Sequence, residues 1–192
     1  MTRERPAGAR RRLTVQDWAD AALAAMAEGG GLAAVAVEPL AARLGTTKGS
    51  FYWHFTGRDA LIEAALERWE ETSTERIIEA TERRPDPETR LRTLFRTVMT
   101  EAVNDPLEVS LLADAGHPHV AAALRRVTER RIGYVARLFE DLGFPPPTAA
   151  RRGLLAYTSY LGHTQLAHAV PETLPSDPTY LDSVLETLLR RP

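Results

Sequence analysis

The chain has 192 residues, 44% of them hydrophobic, which is enough for a folded core of ordinary size. It contains no cysteine, which excludes disulfides and thiolate chemistry, and its net charge of −2 neither favours nor excludes a nucleic-acid partner. No apolar run approaches the roughly 20 residues of a membrane span, and none follows the basic N-terminus as in a signal peptide, so we expect a soluble cytoplasmic protein.

The charge is unevenly distributed along the chain. Residues 1–60 carry eight basic and six acidic side chains, a balance of +2, so the remainder carries −4. The first twelve residues alone hold five arginines and one glutamate. Such a basic arm is either a solvated tail or a segment that lies against phosphates or in a minor groove.

Three short helices are predicted in the first 55 residues. Thr14 is placed to cap the first, with Asp17 in the capping-box position, and the run Gly29–Gly31 ends it. The second spans about residues 37–44 and stops at a glycine suited to a left-handed cap. The third begins after Thr47 and runs to about residue 54.

The rest of the chain is divided by prolines into longer helical segments. An apolar stripe at helical spacing predicts one long helix from Arg58 to the sequence PDP at 85–87. Later segments lie near 88–104, 107–114, 118–142, 148–169 and 178–190. No segment alternates as a strand does, so we expect an all-α protein of about nine helices.

The second and third helices are joined by the short turn LGTTKG, the arrangement of a helix-turn-helix. Phe51 and Phe55 are four residues apart, so they share a helical face and can pack against Trp18. Tyr52 and Trp53 point elsewhere, where they can meet phosphate, sugar or base edges. A helix of about two turns cannot bury four rings on one side.

The segment TVQDWADAALAAMAEGGGLAAVAVEPLAARLGTTKGSFYWHFTGRDALIEAALE resembles the N-terminal DNA-binding domain of TetR-family transcriptional regulators. Its stretch LGTTKGSFYWHFTGRDALI is the most diagnostic part. The resemblance covers about the first third of the chain. It implies an all-α homodimer with a helix-turn-helix head in residues 1–57 and a helical ligand-binding and dimerisation body in residues 58–192.

The resemblance also implies which side chains face DNA. Carried over by position, the predicted DNA-contacting residues are Thr47, Lys48, Gly49, Ser50, Tyr52, Trp53 and His54, with Arg58 on a phosphate. Two positions depart from the family's pattern. Ala36 stands where an N-capping hydroxyl is common, and Glu38 adds a negative charge near the expected DNA backbone or an acceptor for a cytosine amino group.

The resemblance predicts a regulator of transcription, most simply a repressor that a small-molecule effector releases from a palindromic double-stranded DNA operator. Two alternatives stay open, a body that binds a protein partner and a regulator that activates. The sequence predicts no enzyme, because it has no glycine-rich phosphate loop, nucleophile elbow or metal motif. No cofactor is expected.

Apolar and aromatic residues on inward helix faces are the candidates for an effector pocket: Trp69, Phe95, Met99, Leu112, Tyr134, Tyr157 and Tyr160. Most residues of this kind are plain core. The polar residues between 157 and 165 are stronger candidates, for either ligand or dimer contacts. No metal site is predicted, since His163 and His168 are five apart and off one helical face.

The last two helices carry the apolar faces expected at a dimer interface. Leucines of residues 154–166 and 181–189, with Gly153 and Gly162 allowing close approach, could form a four-helix bundle across a twofold axis. Packing within one chain is the alternative, and the resemblance favours the dimer.

Overall fold

The computed structural model describes residues 12–175, 177 and 179–191. Of the basic arm in residues 1–12, Arg12 is described and residues 1–11 lie outside the described residues. The described part contains no strand, and its helices are α1 Val15–Ala25, α2 Val37–Arg43, α3 Lys48–Phe51, α4 Arg58–Glu70, α5 Arg76–Glu82, α6 Pro87–Ala102, α7 Leu107–Ala113, α8 Pro118–Asp141, α9 Pro146–Ala169 and α10 Thr179–Leu189. Within these ranges no helix has the length and apolar content to cross a membrane.

The helix ends of the head (α1–α3) follow the predicted capping chemistry. The Thr14 side chain accepts from the Asp17 backbone N–H, and the Asp17 carboxylate accepts from the Thr14 N–H, which is the predicted capping box. Gly45 has φ +63°, the left-handed conformation expected after α2. Ala36 caps α2 without any side-chain hydrogen bond.

Helix α3 is shorter than predicted, because its regular part ends at Phe51 instead of residue 54. The chain continues as a tight turn in which the His54 N–H donates to the Phe51 carbonyl at 2.9 Å. The Phe55 N–H donates to the same carbonyl at 3.0 Å. This turn holds residues 52–54 in place beyond the last α-helical residue.

The long helix predicted from Arg58 is present, with α4 and α5 joined by a π-helical turn over Glu71–Glu75. The Thr72 hydroxyl donates to the Arg68 carbonyl at 2.8 Å, and the Ser73 hydroxyl donates to the Trp69 carbonyl at 2.7 Å. In a π-helical turn, the backbone N–H groups that would bond these carbonyls in an α-helix are displaced. The Thr72 and Ser73 hydroxyls donate to the carbonyls instead. The turn places residues 72–74 on the inner wall of the body (α4–α10).

Two apolar cores run through the described residues. The first joins the head to α4, α7 and the N-terminal half of α8, with Trp18 and Phe51 fully buried. It crosses the predicted boundary at residues 57/58, so the head rests on the body through shared packing. The second core joins α6 to α8, α9 and α10.

Helices α8 and α9 pack closely because of a glycine. A Cβ added at Gly153 would lie 3.0 Å from both the Ile132 carbonyl oxygen and the Ala136 backbone nitrogen. Gly153 therefore serves packing inside the chain, and its predicted part in a dimer interface is wrong. Leu185 and Leu188 are likewise buried against the second core, at 0% and 2% exposure.

Candidate functional site

The N-terminus of α3 presents small and polar residues to solvent. Thr47, Lys48 and Gly49 are exposed. The Thr47 side chain also accepts the Ser50 backbone N–H at 3.4 Å, so this residue caps the helix. A helix N-terminus with free N–H groups and small side chains can approach a phosphate or a groove closely.

The aromatic residues of this segment divide as the helical spacing predicts. Phe51 and Phe55 are 0% and 7% exposed, and the Phe51 ring meets the Trp18 ring edge-on at 5.4 Å. Tyr52 and Trp53 are 57% and 83% exposed. A tryptophan so exposed stabilises no core, so its surface is available to a partner. Contact of these residues with DNA stays a prediction.

The lysine of this face is already paired. Lys48 Nζ lies 2.8 Å from Oε1 of Glu38, a residue in the first turn of α2, and both side chains are exposed. The hydrogen bond from Lys48 holds the pKa of Glu38 below its ordinary value and raises the pKa of Lys48. A phosphate would have to compete with this carboxylate for the lysine.

The Arg58 guanidinium donates hydrogen bonds to backbone carbonyls within the chain. Its Nε donates to the Val35 carbonyl at 2.8 Å, and a terminal nitrogen donates to the Leu32 carbonyl. These bonds fasten the start of α4 to the segment that precedes α2. The predicted phosphate contact must therefore use the donors that remain on the guanidinium.

A cavity of about 370 Å³ lies where the two cores meet, between the π-helical turn and helices α5–α9. Five of the seven predicted pocket residues line it: Trp69, Phe95, Tyr134, Tyr157 and Tyr160. The remaining wall is mostly apolar and comes from residues such as Ile77, Leu91, Leu94, Val98 and Val135. Ligand binding by these residues stays a prediction, but they share one space of drug-like size.

Two predicted pocket residues do not line the cavity. Met99 packs in the second core at 1% exposure, behind the cavity wall. Leu112 lies in the second turn of α7, beyond the cavity, and is 40% exposed. The cavity touches only the first turn of α7, through Leu107 and Glu108.

A buried ion pair forms one wall of the cavity. Arg131 donates to both carboxylate oxygens of Glu108 at 2.9 and 2.8 Å, and the two side chains are 14% and 6% exposed. The guanidinium lies 5.5 Å from the centre of the Trp69 ring and 5.8 Å from that of Tyr160. Burial alone would lower the pKa of Arg131, but the Glu108 carboxylate offsets this and the pKa is raised.

Tyrosines complete the hydrogen bonds of this pair. The Tyr160 hydroxyl donates to Glu108 Oε2 at 2.6 Å. The Tyr157 hydroxyl lies 3.5 Å from Glu108 Oε1 and 3.1 Å from the Thr128 hydroxyl. Burial raises the pKa of both tyrosines, and the neighbouring Glu108 carboxylate raises it further. Both are neutral hydrogen-bonding groups at physiological pH.

The polar side chains of the cavity lining were not predicted from the sequence: Thr72, Ser73, Thr74, Glu101, Asp105, Glu108 and Arg131. Two of these residues carried a signal. Glu108 is next to Leu107 and three before Leu111 on the buried face of a short helix, and Arg131 shares a helical stripe with Val127 and Tyr134. A charge on a core-facing stripe requires a partner inside the fold.

Helix α7 links the cavity to the head. Its first turn supplies cavity residues, and its far end bonds the segment between α1 and α2. The Ser110 hydroxyl donates to the Met26 carbonyl at 3.2 Å, and Asp114 accepts the Leu32 backbone N–H at 2.7 Å. Gly31, at φ +51°, allows this approach, because an added Cβ would lie 2.6 Å from the Asp114 carboxylate.

One face of α9 leaves large apolar side chains exposed. Leu154 and Leu155 are 51% and 52% exposed, and Leu166 is 41% exposed. Gln165 is exposed beside them, whereas His163 and Thr164 are buried and lie outside the cavity lining. The polar residues of 157–165 are thus divided between the cavity, the core and this apolar face.

Comparison with known proteins supports the TetR-family resemblance of the N-terminal segment. Residues 19–65 match the family model described as bacterial regulatory proteins, tetR family. No curated protein matches the chain.

Solved structures share the fold over nearly the whole chain. A transcriptional regulator from Rhodococcus sp. Rha1 has a TM-score of 0.73 at 22% identity, covering 92% of this chain and 94% of its own. A TetR transcriptional regulator from Legionella pneumophila has a TM-score of 0.75 at 15% identity, covering 94% and 97%. A fatty acid degradation regulator from Bacillus halodurans has a TM-score of 0.64 at 16% identity, covering 98% and 97%.

Proposed function

We propose that this chain, whose residues 19–65 match the tetR family model, is a transcriptional repressor which a small-molecule effector releases from a palindromic operator. The head in residues 1–57 binds DNA in the cytoplasm, and the body in residues 58–192 binds the effector and dimerises. The existence of a cavity supports a small molecule over a protein partner as the signal.

The observation that carries the proposal is the position of α7. Its first turn forms part of the cavity wall, and its other end holds the head through Ser110 and Asp114. A ligand that displaces the first turn therefore moves the segment 26–32 that precedes α2. By linkage, the ligand weakens DNA binding by as much as it prefers the conformer with low DNA affinity.

The head supplies the DNA contacts in this proposal. Gly49 and Ser50 at the start of α3 approach the groove, Tyr52 and His54 contact the backbone, and Trp53 offers its exposed ring. Two heads in a twofold dimer read half-sites about 34–36 Å apart, or at a suitable multiple, so a small rotation breaks the register.

The DNA proposal is tested by fluorescence anisotropy with labelled duplexes tiled across the DNA that flanks the chain's own gene. We expect one palindromic duplex to bind tightly and with a steep loss of affinity as salt rises. Lys48→Ala and Tyr52→Ala should each weaken that binding at least about tenfold, a loss of about 1.4 kcal/mol, while circular dichroism and dimer mass stay unchanged. Salt-insensitive binding, or wild-type affinity in both variants, would contradict the proposal.

The dimer is tested by sedimentation. We propose that the apolar face of α9, formed by Leu154, Leu155 and Leu166, is buried against a second copy. Leu155→Arg should convert the dimer to monomer and abolish binding of the full palindrome. Ala80→Arg, at an exposed position on α5 away from this face, is a control for added charge alone. A monomeric wild-type protein would overturn the dimer proposal.

A further inference from the structure

We propose that the effector cavity selects an amphipathic cation, with an apolar or aromatic body and an amine or quaternary ammonium group, over a carboxylate of the same shape. This inference rests on the proposed function, in which the cavity is the effector site. The charges around the cavity and the apolar character of its deep part support it.

The body of such a ligand fits the deep part of the cavity. The wall there consists of aliphatic and aromatic side chains from α5, α6, α8 and α9, among them Ile78, Leu94 and Phe95. Burial of apolar ligand surface contributes about 25 cal/mol per Å², so this part supplies affinity without regard to charge.

The one basic residue of the lining is not free to bind an anion. Arg131 Nε donates to the Thr74 hydroxyl at 2.9 Å, one terminal nitrogen donates to Glu108, and the other lies 3.2 Å from both Ser73 oxygens. A ligand carboxylate would have to displace Glu108 and leave that carboxylate buried without its cation. Such a loss is expensive in a buried site.

The opening of the cavity is acidic. Among the residues that line it, Glu101 and Asp105 are the exposed ones, so they mark where the cavity meets solvent. Asp105 Oδ1 accepts the Leu107 backbone N–H at 2.9 Å. Among the ion pairs of the described residues, none involves Glu101 or Asp105. With Glu108, the lining holds three carboxylates against one guanidinium, 1 − 3 = −2.

The end of α6 adds to this negative potential. The helix has 16 residues and ends at Ala102, beside the opening, with no basic residue in its last turn. A helix C-terminus carries about half a negative elementary charge. His168 Nε2 lies 2.7 Å from the Ala102 carbonyl oxygen and caps one acceptor there. The end of α6 and the two carboxylates therefore attract a cation and repel an anion at the same place.

The test uses three probes with one skeleton: 8-phenyloctylamine, 8-phenyloctan-1-ol and 8-phenyloctanoate, kept below their aggregation concentrations. Isothermal titration calorimetry on the full chain near pH 7 measures each dissociation constant, with the amine protonated and the acid ionised. We expect the amine to bind at least about tenfold more tightly than the carboxylate, with the alcohol between them. Equal or tighter carboxylate binding, or no amine binding, would overturn the inference.

Three variants locate the effect. Glu101→Gln with Asp105→Asn should lower amine affinity about tenfold and leave alcohol affinity unchanged. The matched control, Glu140→Gln with Asp141→Asn, removes the same charge from the exposed end of α8 and should change neither. Ala156→Phe fills the cavity and should abolish binding of both probes. Amine binding that survives Ala156→Phe, or falls equally in the control, would place the amine on the surface and contradict the inference.

Failure of this inference is distinguishable from failure of the proposed function. Calorimetry reports binding to the protein alone, and anisotropy with the palindromic duplex reports release. An amine that binds in the cavity without releasing DNA overturns effector control and leaves the ligand class standing. An amine that does not bind, in a protein that still binds its operator, overturns the ligand class alone.

Discussion

The head and the body each contain one ion pair at the centre of their proposed function, and the two pairs differ in exposure. Lys48 and Glu38 in the head are 54% and 73% exposed, whereas Arg131 and Glu108 in the body are 14% and 6% exposed. An exposed pair is stabilised little by its Coulomb attraction and opens readily for a phosphate. A buried pair, once formed, leaves a costly unpaired charge if one partner is lost.

Tryptophans show the same contrast. Trp53 in the head is 83% exposed, and Trp69 in the body is 2% exposed beneath the Arg131 guanidinium. The proposed DNA-binding surface of the head thus lies outside its core, whereas the proposed effector site of the body lies within its core. We expect substitutions at the head's surface to change binding alone, and substitutions at the cavity wall to change stability as well.

The largest expected effect comes from breaking the buried pair. Arg131→Met should lower the free energy of unfolding by about 3–5 kcal/mol, because Glu108 is left buried without its cation. Urea denaturation followed by circular dichroism measures the change. Adding Glu108→Leu to the same chain should restore most of the loss. If Arg131→Met alone were as stable as wild type, the Arg131–Glu108 pair would not be a fixed part of the cavity wall.

A smaller loss is expected where α7 meets the head. Asp114→Ala removes the acceptor of the Leu32 N–H, a hydrogen bond to a charged group, and should cost about 1.5–3 kcal/mol. Hydrogen exchange should quicken at the Leu32 amide more than at amides of α9. If exchange at Leu32 is unchanged, α7 does not hold the head as proposed.

Two aromatic residues of the head, one buried and one exposed, should respond differently to the same substitution. Phe51→Leu should destabilise the protein by about 1–2 kcal/mol, since it shrinks a fully buried ring. Trp53→Leu, the matched exposed change, should stay within about 0.5 kcal/mol of wild type while weakening operator binding. Equal stability losses in the two variants would mean that Trp53 is part of the core.

The smallest effect is expected at the exposed pair. Glu38→Gln frees Lys48 and removes a negative charge near the DNA backbone, so operator affinity should rise about threefold, the scale of a surface pair, without a change in the urea midpoint. Glu79→Gln is the control, because Glu79 on α5 forms an exposed pair with Arg83, away from the head. An unchanged or lower affinity in Glu38→Gln would show that Glu38 contributes to binding, as an acceptor for a cytosine amino group would.

Local signals in the sequence predicted the helices and the head well. Prolines and glycines mark where helices begin and end, and the four-residue spacing of Phe51 and Phe55 separates the buried rings from the exposed ones. The body was predicted less completely, because its key contacts join distant elements. Glu108 and Arg131 are 23 residues apart on different helices, so no local pattern pairs them. The burial of Leu185 was not predictable from local sequence either, because it depends on packing against α6 and α9.

If the cavity controls the head, effector binding and operator binding must be thermodynamically linked. The affinity of 8-phenyloctylamine is measured by calorimetry for the free protein and for the protein saturated with its palindromic duplex, and operator affinity is measured with and without saturating amine. We expect both affinities to fall by the same factor, as reciprocal coupling requires, and that factor to be about tenfold or more, a coupling of about 1.4 kcal/mol or more. An amine that binds in the cavity with the same affinity whether or not DNA is present would contradict it.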